Sequence, residues 1–73
     1  MTMSDSEIII GYLVEFFSDG RAWRVVISDP MGADLMMAGE RRKNCRLPEV
    51  FADRTTAKLA AFAFIRANVD RIA

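Results

Sequence analysis

Seventy-three residues, 52% of them apolar, make one small domain, and a domain of this size buries only about 60% of the surface its unfolded chain exposes. Ten basic residues balance ten acidic ones, which excludes a whole-molecule electrostatic attraction to phosphate or anionic lipid. A single cysteine, Cys45, excludes an intramolecular disulfide, and the absence of histidine removes the usual general base and any ordinary zinc site.

Residues 1–7 are polar and are expected to fray. Acids stand there where a secretory signal carries lysine or arginine, and no stretch approaches the roughly 20 apolar residues of a membrane span. A lone thiol suits a reducing compartment. The expectation is a soluble, cytoplasmic protein without membrane partners.

Residues 8–28 read as a β-hairpin. Two runs rich in β-branched and aromatic residues flank Asp19-Gly20, a pair suited to a two-residue type I′ turn. A two-residue loop sets Phe16 against Trp23, Val14 against Val25 and Glu15 against Arg24. One face then carries Tyr12, Val14, Phe16, Trp23, Val25 and Ile27, and the other Leu13, Glu15, Phe17, Arg24 and Val26. The aromatics fall together on the first face, as core residues do, rather than being offered for stacking on bases.

Pro30 and Gly32 end the second strand. Residues 33–47 suit either a helix, from the propensities of Leu35, Met36 and Met37, or short strands, from the alternation around Lys43, Cys45 and Leu47. One or two further strands are favoured. Asp53 is a good N-cap for a helix within residues 53–72, running from about Arg54 to Arg71 and directing Ala57, Ala61, Phe64, Ile65, Asn68 and Ile72 to one face. The fold class is α+β: a single domain over residues 1–73, with a small antiparallel sheet and a C-terminal helix packed on one face.

One helix covers one face of such a sheet. Ile9, Leu13, Phe17 and Val26 are left on the second face, and Leu59 and Phe62 point away from the helix's own core side. Contiguous apolar patches of this kind mark interfaces. The six form the candidate protein interface, for a homodimer or another protein partner, unless Leu35, Met36 or Met37 folds over the sheet.

No pair of acids is arranged around an evident cleft, and the four glycines are spread singly, without a phosphate-binding loop. No catalytic residue, cofactor or metal is expected. Cys45 has cations near it in sequence but no base to activate it, and reads as a small half-buried hydrophobe. Arg41, Arg42, Lys43 and Arg46 form the one dense basic cluster and are the candidate nucleic-acid contacts, although such a cluster more often guards a sheet edge.

The function expected from these residues is that of a small non-enzymatic interaction module that self-associates. Its size also fits an inhibitor or regulator of the phage or mobile-element type, acting by occlusion of a host protein. The alternative is a nucleic-acid-binding accessory protein using Arg41–Arg46.

Overall fold

The computed structural model of the chain describes residues 3–37 and 39–69. Within them lie β1 (Met3–Ile9), β2 (Tyr12–Ser18), β3 (Trp23–Ser28), β4 (Leu35–Met37), β5 (Glu40–Arg42), β6 (Asn44–Arg46) and α1 (Arg54–Asn68). A four-stranded antiparallel sheet has the order β1-β2-β3-β6, and β4 and β5 form a separate two-stranded hairpin. The α+β architecture, with the helix packed on one face of the sheet, is the one expected from the sequence.

The expectation of a frayed segment 1–7 is corrected from Met3 onward, since these residues form the edge strand β1. Ile9 pairs with Tyr12 around Ile10-Gly11, whose φ angles are 50° and 83°. Two positive φ values are what a type I′ hairpin turn requires. A β-branched residue resists this conformation. The partly buried Ile10 side chain packs against the core, which offsets the strain. An edge strand tolerates polar side chains because most of them remain in water.

The second hairpin is present with a different register. Ser18 pairs with Trp23, Phe16 with Val25 and Val14 with Ile27, leaving a four-residue loop over 19–22 instead of two. The Asp19 carboxylate accepts hydrogen bonds from the backbone N–H groups of Arg21 (2.9 Å) and Ala22 (3.2 Å), and Ser18 Oγ accepts from Gly20 N–H (3.1 Å). Asp19 thus closes a wider Asx-type turn. Gly20 has φ 96°, whereas Asp19 does not take the positive φ of a type I′ turn. The register moves by two residues, so every side chain keeps its expected face. Glu15 now sits opposite Val26, and Arg24 opposite Phe17, so the expected Glu15–Arg24 cross-strand pair is not formed.

Leu35–Met37, Glu40–Arg42 and Asn44–Arg46 are strands, not parts of a helix. β6 pairs with β3 through Ile27 and Cys45, and the chain returns to the same edge where Trp23 and Phe51 exchange backbone hydrogen bonds of 2.8 and 2.9 Å. The β4–β5 hairpin closes the helix side of the sheet. Leu35 lies in the common core, and Met37 bridges Val69 at the end of α1.

Helix α1 begins at Asp53, whose carboxylate accepts from Thr56 N–H at 2.8 Å. Ala57, Ala61 and Ile65, four residues apart, are buried against Val14, Phe16, Val25 and Ile27. The two alanines let the helix backbone lie close to the sheet. The helix stops at Asn68, and Val69 is already extended, forming its bridge to Met37. Asn68 is exposed, its side-chain amide donating to Phe64 O, so it leaves the expected buried face. Arg71 and Ile72 lie outside the described residues.

Candidate interaction surface

The covered face of the large sheet is filled by core. Its other face is built from alternate residues of the same strands, and cross-strand pairing arranges them in three rows. Ile8, Leu13, Ser28 and Asn44 form the first. Ser6, Glu15, Val26 and Arg46 form the second. Ser4, Phe17 and Arg24 form the third. Ile8 is 58% exposed and Phe17 37%, with Leu13 and Val26 half-buried between them. A cleft of about 440 Å³ opens at one end of this face, lined by Met3, Ser4, Phe17, Ser18, Asp19, Ala22 and Arg24.

The structure separates the six expected interface residues into three places. Leu13, Phe17 and Val26 share the open sheet face. Ile9 belongs to the core, because the turn at Ile10-Gly11 reverses the chain and puts Ile9 beside Tyr12 on the covered side. Leu59 (66% exposed) and Phe62 (41% exposed) lie on the outer side of α1, where the Arg66 guanidinium stands 5.7 Å from the Phe62 ring. They form a second patch, separated from the first by the thickness of the domain. Ile8 joins the open face and was missed. An Asn-Gly or Asp-Gly pair would have signalled its turn, but Ile-Gly does not.

Charge is distributed unevenly over the molecule. On the covered side, Arg54 meets Asp5 at 2.7 Å and Glu7 at 2.8 Å, and Lys58 meets Glu7 at 2.7 Å. The Arg54 guanidinium also sits 4.4 Å from the centre of the Phe16 ring. These contacts tie the edge strand to the first turn of the helix. Hydrogen bonds from Lys58 and Arg54 hold the Glu7 carboxyl below its ordinary value. Glu15, Arg24 and Arg46 on the open face join none of the ion pairs among the described residues.

The basic segment does not present one surface. Arg42 pairs with Glu40 at 3.3 Å, and Lys43 reaches Asp34 at 3.4 Å and donates to Gly32 O. Arg41 and Arg42 are successive residues of β5 and point to opposite faces of the small hairpin, while Arg46 belongs to the open face of the large sheet. Cys45 is buried opposite Ile27, and desolvation raises its thiol pKa, against a smaller lowering influence from Arg42. A protonated, enclosed thiol is a poor nucleophile.

Among the described residues, no group of three or more histidine, cysteine, aspartate or glutamate residues could hold a metal ion. No helix there is long and apolar enough to cross a membrane. No protein-family model matches the chain, and neither curated proteins nor solved structures give a significant match.

Proposed function

We propose that the protein is a non-enzymatic protein-interaction module that associates with a second copy of itself or with another protein, and that its open sheet face is the binding surface. The observation carrying this reading is the contiguous group of Ile8, Leu13, Phe17 and Val26 on a face that neither the helix nor the β4–β5 hairpin covers. Contiguous exposed apolar surface on a small domain favours association, since joining it to a partner removes it from water. A cytoplasmic regulator that occludes a host protein fits the same surface. Nucleic-acid binding through Arg41–Arg46 is the second reading. Arg41 and Arg46, which join no ion pair among the described residues, favour it, and the dispersal of the cluster over two sheets weighs against it.

Light scattering coupled to size-exclusion chromatography tests the first reading on purified protein and on a mixture with cell lysate. Leu13→Lys is expected to abolish association while retaining the wild-type far-UV spectrum. A wild-type protein that stays monomeric at high micromolar concentration and retains no lysate protein would remove this reading's support.

A further inference from the structure

The open face is apolar and carries an acid and a base, Glu15 and Arg24, that can each pair with the other in a second copy. We propose that two copies pack open face to open face about a two-fold axis parallel to the strands, with Glu15 of each copy paired to Arg24 of the other. The inference rests on the interaction reading above and names its partner as a second copy of this chain.

Glu15 is half-buried among Leu13, Phe17 and Val26 and has no ion-pair partner among the described residues. Arg24 stands one row away on β3, and Arg46 lies beside Val26 on β6. The nearby Asp19 carboxylate is already engaged by the Arg21 and Ala22 N–H groups. Glu15 on β2 and Arg24 and Arg46 on β3 and β6 thus form no ion pair among the described residues, although Asp19 lies close enough to Arg24 to feel its charge.

A two-fold axis running along the gap between β2 and β3 sets β2 of one copy over β3 of the other. Phe17 then lies over Arg24 of the partner subunit. Glu15 lies over the partner's Val26, one row from the partner's Arg24. With sheets about 10 Å apart, the lengths of the two side chains span that offset. A ring under a guanidinium is favourable. An axis across the strands through the row of Glu15 and Val26 would set Glu15 against the partner's Glu15 and is disfavoured.

Pairing edge to edge through β1 is a weaker competitor. The Ser6 N–H in that strand is taken by the Asp5 carboxylate at 2.8 Å, and a neighbouring strand would have to displace it. Four strands at about 4.8 Å spacing make the open face roughly 19 Å wide. It buries less than the about 1,600 Å² of a standard complex, so a weak, reversible dimer is expected.

Sedimentation equilibrium on the full chain tests the pairing with E15R, R24E and their equimolar mixture, each checked for native melting by circular dichroism. Either single variant is expected to weaken association at least tenfold, because each sets like charges against each other twice. The mixture is expected to recover the wild-type dimer, since both contacts again join opposite charges. A wild-type dimer indifferent to E15R, or a mixture that stays monomeric, would overturn the proposal. So would a wild-type chain that is monomeric at millimolar concentration. In that last case, a complex with another protein lost on Leu13→Lys would preserve the broader reading while this one falls.

Discussion

Phe16 and Phe17 are consecutive in the chain and belong to opposite faces of one sheet. Phe16 is fully buried beneath Arg54 and the helix, whereas Phe17 stands on the open face beside Arg24 and Ser4. The covered face takes almost solely apolar side chains along β2 and β3. The open face interleaves apolar residues with Ser6, Glu15, Arg24 and Arg46. The first pattern is that of a core, and the second that of a surface able to exist both wet and covered. Function in a domain this small is expected to reside on the face that folding leaves unused.

The most severe way to break that contrast is to truncate each ring in turn. Phe16→Ala should destabilise the protein by about 3–5 kcal/mol, the usual range for a buried phenylalanine. A domain of this size has little more than that to lose, so the variant should be largely unfolded at room temperature by circular dichroism. Phe17→Ala should stay folded, with a loss of about 1–2 kcal/mol in urea melts, because 37% of its surface is already in water. Equal losses would mean that the open face is core in solution.

The turn joining β2 to β3 gives the next largest effect. An added Cβ at Gly20 meets nothing within 4 Å, so the penalty of a substitution comes from its φ of 96° alone. Gly20→Val should lower stability by about 1 kcal/mol or more. An unchanged melting temperature would count against the turn as described.

Electrostatics separate the two sides at a smaller scale. Glu7 is held below its ordinary value of 4.5 by Lys58 and Arg54. A carboxyl whose folded pKa is depressed contributes stability that is present above the unfolded pKa and lost as pH falls through the folded one. The melting temperature should therefore decline as pH drops from about 5 towards 3. Glu7→Gln should melt lower than wild type at neutral pH and show a shallower decline, with the acids at Asp19 and Asp53 supplying the remainder through their own lowered values. An acid profile identical to wild type would show that β1 is held by its ladder alone.

Face membership in β2 and β3 was legible in the sequence because a period of two survives a register error of two residues. The loop length was not, because Asp19 acts through side-chain bonds to Arg21 and Ala22 that compete with the type I′ geometry suggested by Asp-Gly. The helix was legible from Asp53 and the spacing of Ala57, Ala61 and Ile65. Its end at Asn68 depends on the tertiary bridge between Val69 and Met37. Strand β1 was hidden because Ser4, Asp5, Ser6 and Glu7 have no strand-like pattern of their own. The ion-pair partners of Asp5 and Glu7, Arg54 and Lys58, lie far along the chain on the helix. The candidate surface was half legible. Leu13, Phe17 and Val26 stay together, but Ile9 and Ile8 exchange places once the chain turns at Gly11.

The basic segment supplies the smallest expected effect and the sharpest test of the second reading. Phosphate binding by a cluster requires cations that converge on one surface and are free to exchange their counterions. Here Arg42 and Lys43 already face Glu40 and Asp34, and Arg41 and Arg46 belong to different sheets. Replacing Arg42 and Lys43 together by alanine should leave stability within about 0.5 kcal/mol of wild type, because exposed ion pairs contribute little. DNA and RNA should bind no tighter than about 10 μM at physiological salt, well short of specific complexes, and the double substitution should change little. Tight binding that falls steeply with salt, and is lost in the double variant, would transfer the function from the apolar face to the basic segment. The open face would then be explained by solubility alone, with Glu15, Arg24 and Arg46 as its solvating charges.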